Sequence, residues 1–476
     1  MIRGIRWTLA TTVLRRLCSL LMLFFVAKWL DKGDLGIFRT YNLLLLMLSF
    51  IASLGTESQY LTSSKRPLMN LYGMLQTNLI ISTLLVLTMA LGGRSIGRLY
   101  ASQELGLLIS FAAPLIWIEA LRKVYRTTAQ RALLFKNLAI AETLNVFCYS
   151  LLVLSLVYFY RFAWLFSVLF YLGNLIELFY LAVVQGKDKT LNRMLQKPFR
   201  YLAQNLANLW KNRTFLTNVS LVSLLGTYSG NAPILYLGML IDPALLGLYY
   251  FASQLIGIPV SMLTGSILQV FYPVFAQRSR ELVLQNIHRY IRMVCLLGLP
   301  LLLLFAFLFR LLIPLVFGGK WDQSIILIYY MVIIYGSSLL HHPLSGVPYI
   351  CRKPHYELYW NLISLLLRIA ALALGLKAGF VTAILYYSIV SGIMNLAFYV
   401  MAMAILGAKL RLSIQKLLWG LLPTLVFIIP LLLPLGSLYK SLSLILTLCV
   451  YFCYLWGWHP TFRTEIEQLF KRGSSV

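Results

Sequence analysis

The feature that most constrains this chain is a series of long apolar segments in which charged residues are almost absent. Unbroken blocks such as LLMLFF, LLIPLVF and LLLPL recur along the 476 residues, and the mean hydropathy is +0.81. A spanning helix needs about 20 apolar residues, whereas a membrane-spanning strand alternates apolar and polar side chains over about ten. The pattern therefore predicts an all-α polytopic membrane protein and excludes an ordinary soluble enzyme.

Apolar windows predict about fourteen transmembrane helices. They cover residues 8–30, 41–61, 72–92, 106–121, 138–160, 163–184, 215–240, 246–272, 293–316, 324–349, 357–375, 380–405, 414–434 and 438–457.

The distribution of charge predicts the orientation of these helices. The chain has 41 Lys and Arg against 14 Asp and Glu, and its basic clusters fall between an even-numbered predicted span and the next. Cytoplasmic loops carry the excess of Lys and Arg, so we place these loops and both termini in the cytoplasm. This topology, together with attraction to anionic membrane lipid, accounts for the net charge of +27, and no nucleic-acid partner is predicted.

A short motif, D-x3-L-G-[IL]-[FY], occurs twice, at Asp31–Phe38 and Asp242–Tyr249. An even number of predicted spans separates the copies, which indicates a parallel repeat. Two parallel six-helix lobes around a central cavity, with two additional C-terminal helices, would suit alternating access. The predicted parts are an N-terminal six-helix lobe, a basic cytoplasmic linker, a C-terminal six-helix lobe, and two added helices with a cytoplasmic tail, at residues 1–184, 185–214, 215–406 and 407–476.

Arginines deep in predicted spans are the first candidates for a binding site, because each charge costs roughly 2.5–3.5 kcal/mol to insert. Arg368 lies near the middle of the eleventh span, and Arg15 and Arg16 are in the first. Arg310 is nearer the outer end of the ninth, where its side chain can reach the interface instead. The planar guanidinium matches phosphate and carboxylate, so these residues predict an anionic cargo.

Other polar residues are candidates for the cavity or for proton transfer. Glu57 and Glu177 could pair with the arginines or relay protons, and His341 and His342 could be structural or protonatable. Breaker-rich stretches predict bends in the seventh, eighth and tenth spans. Residues expected in the polar part of the cavity are Tyr228, Asn231 and Gln269.

The sequence lacks the motifs of an energy-coupled or catalytic protein. It contains neither GxxxxGK[ST] nor a strand followed by GxGxxG, and its six cysteines form no CxxC pair. The longest predicted outer loop carries a single acid, Glu104. We therefore expect no cofactor, no metal site and no enzymatic activity.

Two stretches resemble a known family. Leu246–Pro259, LGLYYFASQLIGIP, followed by Gln269–Gln277, QVFYPVFAQ, is similar to the eighth-helix region of bacterial polysaccharide transporters, the Wzx-type oligosaccharide-lipid flippases. Leu35–Phe38 and Leu54–Glu57 look like their N-terminal region. The resemblance implies the multidrug/oligosaccharidyl-lipid/polysaccharide exporter superfamily and the bacterial cytoplasmic (inner) membrane.

The resemblance also implies a substrate. Undecaprenyl-diphosphate-linked oligosaccharide would move from the inner to the outer leaflet for surface polysaccharide such as lipopolysaccharide O-antigen or exopolysaccharide. Arg15 or Arg16 and Arg368 would engage the diphosphate or acidic sugars, and polysaccharide polymerase machinery would be a partner. The alternatives are an ion-coupled small-molecule exporter and, less favoured, a membrane glycan polymerase or ligase.

Overall fold

The computed structural model describes residues 2–62, 67–157, 159–160, 163–186, 194, 196–276, 280–351, 353, 355–421, 446–447 and 450–451. Within these ranges the chain forms helices joined by short turns and no strand. The helices of its first half are α1 Ile2–Trp29, α2 Lys32–Ser53, α3 Thr56–Thr62, α4 Pro67–Leu99, α5 Gln103–Ala112, α6 Leu115–Arg131, α7 Phe135–Val157, α8 Ala163–Gln185, α9 Leu202–Lys211 and α10 Arg213–Gly230. Those of its second half are α11 Pro243–Ala276, α12 Arg280–Met293, α13 Leu299–Phe317, α14 Ser324–His341, α15 Val347–Ile350, α16 His355–Leu376, α17 Phe380–Ile405 and α18 Leu410–Leu421.

The predicted class of fold is confirmed. Among the described residues, 9 helices are long and apolar enough to cross a membrane, or 10 if α5 and α6, which bend by 54° at their junction, count as one span. The predicted spans from 438 onward, and most of the one at 414–434, lie outside the described residues.

Two helices run further than the apolar pattern predicts. Helix α2 begins at Lys32, nine residues before the predicted span, directly after its N-cap Asp31. Helix α6 continues to Arg131, ten residues past the predicted end. Three charged residues in this extension, Arg122, Lys123 and Arg126, pair with acids on neighbouring helices.

Helix breakers interrupt the chain at two of the three predicted places. Helix α10 ends at Gly230 and is followed by a π-helical turn, Pro233–Leu237. Helix α14 ends at His341, where a 3-10 turn, His342–Leu344, begins. In contrast, α11 is a continuous helix through its glycine and proline in Gly257–Pro259.

The two copies of the repeated motif start helices α2 and α11 and pack against each other. A Cβ on Gly36 would collide with the carbonyl of Pro243, and a Cβ on Gly247 would collide with the carbonyl of Lys32. Pro243 and Lys32 occupy the same position in the two copies, so the contact is reciprocal. The motif glycine therefore permits two helix starts to approach at backbone distance.

The packing falls into two units, described separately. The first comprises Arg3–Gln254 with His355–Tyr387, and part of its core is an apolar cluster that includes Tyr41, Leu105 and Tyr171. The second lies within Leu255–Pro354 and Ser388–Val476. One of its apolar clusters contains Leu296, Phe307 and Tyr451. These units do not follow the chain order of the two predicted lobes, whose boundaries stay a prediction.

Candidate functional site

A polar site in the first unit surrounds the C-terminal end of α10. Arg368 of α16 is only 6% exposed, and its Nη1 donates a hydrogen bond to Ser229 Oγ at 2.8 Å. The Ser229 hydroxyl is also 3.4 Å from that of Ser364. The Arg368 guanidinium lies 6.0 Å from the ring centres of Trp360 and Tyr387, a range in which cation–π attraction operates.

A second arginine approaches the same helix end. Nη2 of Arg39, on α2, donates to Asn231 Oδ1 at 2.9 Å, and its guanidinium lies 5.2 Å from the Tyr250 ring centre. Arg39 Nε is buried and finds no hydrogen-bond acceptor among the described residues. None of the ion pairs in the described part of the chain includes Arg39. We call the set Arg39, Ser229, Asn231 and Arg368 the two-arginine site.

The backbone at this helix end is polar because the α-helix stops there. Tyr387 donates its hydroxyl to the carbonyl of Gly230 at 3.2 Å, and the Asn231 side-chain amide returns to the carbonyl of Thr227 at 2.9 Å. Such capping satisfies carbonyls that the interrupted helix leaves without a partner. Tyr228 lies in the same turn and is half-buried.

A different cluster in the first unit is balanced in charge. Arg122 pairs with Glu119 at 2.7 Å and with Glu177 at 2.9 Å. Arg126 pairs with Glu142 and, at 3.6 Å, with Glu177. Arg15 of α1 also pairs with Glu142. We call these three arginines and three glutamates the balanced network.

Two amides complete the balanced network. Asn145 donates to Glu177 Oε2 at 2.7 Å and to Asn174 Oδ1 at 2.9 Å, while Asn174 donates to Glu119 Oε2 at 3.4 Å. Nearby, Lys123 pairs with Glu57 at 3.4 Å. Because its positive and negative groups match, the network is suited to hold α1, α6, α7 and α8 together rather than to bind an anion.

The structure thus separates residues that the sequence placed together. Arg15 is in the balanced network, Arg16 is exposed on α1, and Arg368 is in the two-arginine site. Glu57 pairs with Lys123, and Glu177 pairs with Arg122. Both cations are on α6, beyond the end that the apolar pattern predicts for this helix. The side chain of Gln269 lies outside the described residues.

The remaining predicted residues belong to the second unit. Arg310 is half-buried, and its Nη1 lies 3.5 Å from the Tyr329 hydroxyl. The ring of His341 packs edge-on against Phe398 with ring centres 4.4 Å apart. His342 begins the 3-10 turn and is exposed.

Arg39 is the functional candidate that the sequence analysis missed. It falls before residue 41, the predicted start of the second span, and therefore in a predicted outer loop. The repeated motif could have identified Arg39. Asp is a preferred N-cap residue, and a helix that starts after Asp31 places Arg39 about 10 Å along α2.

Known proteins with similar sequences are named for the biosynthesis of polysaccharide, lipopolysaccharide and teichuronic acid. A sequence profile of the family described as "Polysaccharide biosynthesis protein" matches residues 25–326. The lipopolysaccharide biosynthesis protein WzxC of Escherichia coli (strain K12) is 22% identical over 436 residues, which are 89% of this chain and 86% of that protein. The teichuronic acid biosynthesis protein TuaB of Bacillus subtilis (strain 168) is 23% identical over 339 residues, 69% of this chain and 66% of that protein.

Solved structures agree with the helical architecture. The lipid II flippase MurJ in an inward closed conformation superposes with a TM-score of 0.71 at 13% identity, covering 96% of this chain and 99% of MurJ. An inward-facing multidrug resistance MATE transporter of the MOP superfamily gives 0.59 at 13% identity, covering 86% and 99%. The chain therefore shares the fold of these two solved structures. The profile spans more than half of the sequence, and the chain belongs to the polysaccharide biosynthesis protein family.

Proposed function

We propose that the protein is a flippase that moves undecaprenyl-diphosphate-linked oligosaccharide from the inner to the outer leaflet of the bacterial cytoplasmic membrane by alternating access. The two-arginine site carries this proposal. Two arginines from different helices donate hydrogen bonds to Ser229 and Asn231, neutral residues at the end of one interrupted helix. Arg39 therefore differs from the arginines of the balanced network, each of which faces a glutamate.

The charge of this site selects the chemical class of cargo. Arg39 forms no ion pair within the described residues, so its positive charge is available to an anion. Guanidinium groups bind phosphate through paired hydrogen bonds and stay charged at every physiological pH. A diphosphate would be attracted to this positive charge, whereas a cationic drug would be repelled.

The neighbouring groups suit a sugar attached to that diphosphate. Tyr228, Tyr250 and Asn231 offer hydroxyl, aromatic and amide surfaces beside the arginines. The relatives WzxC and TuaB, named for lipopolysaccharide and teichuronic acid biosynthesis, support a glycan as the cargo. We further propose that both termini are cytoplasmic, that the protein acts without catalysis, and that its product passes to polysaccharide polymerase machinery.

The test compares a strain lacking the gene with strains carrying single substitutions. Deletion should abolish surface polysaccharide and cause complete lipid-linked repeat units to accumulate in the inner leaflet. Arg368→Ala and Arg39→Ala should restore less than about a tenth of the polysaccharide, since each loses charge-assisted hydrogen bonds to the diphosphate. Arg411→Ala, an exposed arginine of α18, is the matched control and should restore it fully.

Three other outcomes would contradict the proposed site or the proposed function. Full export by Arg39→Ala and Arg368→Ala, with the protein inserted at normal levels, would remove the two-arginine site from the proposal. Complete repeat units that reach the outer leaflet without being polymerised after deletion would indicate the polymerase alternative. No change in either glycan pool would indicate a small-molecule exporter.

A further inference from the structure

A second cationic site lies at the C-terminal end of α4, a helix of 33 residues. A cavity of about 590 Å³ opens where α4 ends and α5 begins, and its polar lining consists of Arg94, Arg98, Ser102 and Gln103. This volume is in the range of small-ligand sites in proteins. The function proposed above makes no use of it.

Glycines shape the helical hairpin beneath this cavity. A Cβ on Gly97 would come within 2.6 Å of the Cα of Gly106, and one on Gly93 within 2.8 Å of the backbone nitrogen of Ser110. The backbones of α4 and α5 therefore touch on that face. The side chains of Arg94 and Arg98 stand beside the glycine face and form the rim of the cavity.

The two arginines of the rim are not neutralised by the protein. Both are exposed, and within the described part of the chain neither side chain forms an ion pair or a hydrogen bond. They are four residues apart, so their side chains lie on one helix face about 6 Å from each other. Ser102 Oγ accepts a hydrogen bond from the backbone of Leu105, which leaves its hydroxyl hydrogen able to donate.

A lipid-facing apolar surface leads to this pair. Leu84, Leu87 and Leu91 are 57%, 54% and 84% exposed, and their spacing of three and four residues continues into Arg94 and Arg98. These five residues therefore share one face of α4. On α5, Phe111 is 83% exposed and adds a second apolar wall.

The length of α4 sets the depth of the arginines. Its 33 residues extend about 50 Å, more than the roughly 30 Å hydrocarbon core. Helix α4 begins on the predicted cytoplasmic side, so its last turns reach the outer headgroup region. The leucine face then lies at acyl-chain depth, and Arg94 and Arg98 lie at phosphate depth.

We propose that this cavity is an outer-leaflet binding site for the diphosphate of the translocated lipid-linked glycan, with its polyprenyl chain along Leu84, Leu87 and Leu91. The inference rests on the proposed function and adds a second site, which receives the product. Two adjacent guanidinium groups match two linked phosphates better than the single phosphate of a phospholipid. Ser102 and Gln103 provide hydrogen bonds for the first sugar.

The experiment counts the bound lipids by native mass spectrometry of the purified full-length protein with added undecaprenyl diphosphate. The wild type should bind two molecules. Arg94→Gln with Arg98→Gln should weaken binding of one molecule about tenfold or more, because two charge-assisted contacts are lost. Arg368→Ala should lose the other molecule. Lys320→Gln with Lys377→Gln removes two positive charges from other predicted outer loops and should leave both molecules bound.

The outcomes separate this inference from the function on which it rests. Equal binding by the wild type and the Arg94/Arg98 double variant would overturn the outer site, while loss of binding in Arg368→Ala would keep the proposed function. Displacement of the Arg94/Arg98-dependent molecule by equimolar phosphatidylglycerol would identify a general phospholipid site and overturn the inference. Absence of any diphosphate binding by the wild type would overturn both.

Discussion

At the scale of single residues, burial decides which charges hold the first unit together. The Glu177 side chain is 1% exposed, against 12% for Glu142 and 16% for Glu119. It accepts hydrogen bonds from Arg122 and Asn145, so one carboxylate joins three helices. A buried charge that loses its partner is costly, whereas an exposed one remains solvated.

Glu177→Gln should therefore destabilise the protein by about 3–5 kcal/mol, because it leaves Arg122 and Arg126 with a deficit of negative charge in a buried site. The expected measurement is a thermal unfolding midpoint in detergent that is several degrees lower. Glu104→Gln, at an exposed position in the first turn of α5, is the control and should leave the midpoint unchanged. An unchanged midpoint for Glu177→Gln would contradict the structural role of the balanced network.

Arg15 offers a residue-scale test between two roles. The sequence predicts an anion ligand, and the structure pairs it with Glu142. If the pair is structural, Arg15→Gln should destabilise the protein, and adding Glu142→Gln should cost less than the sum of the two single changes by about 0.5–3 kcal/mol. Polysaccharide export should then follow stability. Additive effects on stability, with export lost in every variant lacking Arg15, would indicate a role in binding the cargo instead.

At the scale of elements, the repeated motif is a packing device. Gly36 and Gly247 each fit against the carbonyl at the second position of the other copy. Alanine normally stabilises a helix by about 0.8–1.0 kcal/mol relative to glycine. At Gly36 and Gly247, alanine should instead destabilise the protein, because the added methyl group has no space in the contact between α2 and α11.

Gly36→Ala and Gly247→Ala should therefore lower the thermal unfolding midpoint, whereas Gly33→Ala in the same helix should raise it or leave it unchanged. A Cβ at Gly33 meets no atom within 4 Å, which makes it a matched control for helix propensity. The two destabilising changes affect one contact, so their combination should fall short of additivity. A stabilising effect of Gly36→Ala would show that the two helix starts are further apart than the structure places them.

Contacts between helices that are distant in sequence leave no local pattern from which they could be predicted. Apolar windows predict the order of the helices. The bond between Arg122 and Glu177 joins residues 55 apart, so no local pattern reports it. The apolar windows also end where charged residues begin, so Arg39 and Arg126 fall in predicted loops. In the structure both lie inside helices, where they bond to residues outside their own helix.

At the scale of the whole molecule, the excess of Lys and Arg in alternate predicted loops predicts how the protein is oriented in the membrane. Reporter fusions test it without any assumption about the transported molecule. Alkaline phosphatase is active only outside the cytoplasm, and green fluorescent protein exported through the general secretory pathway does not fluoresce. Fusions expected to show phosphatase activity end after Ala101, Tyr160 and Gly319, and fusions expected to fluoresce end after Leu133, Gly186 and Gly407.

This pattern should hold because the basic residues of the loops at Leu133, Gly186 and Gly407 resist transfer across the membrane. The fusions after Ala101 and Leu133 are the most informative pair, since only the bent helices α5 and α6 separate them. Opposite reporters there would show that the bent pair crosses the membrane once. Phosphatase activity at both points would make it a re-entrant segment, and phosphatase activity after Gly186 would reverse the topology and place Arg94 and Arg98 on the cytoplasmic side.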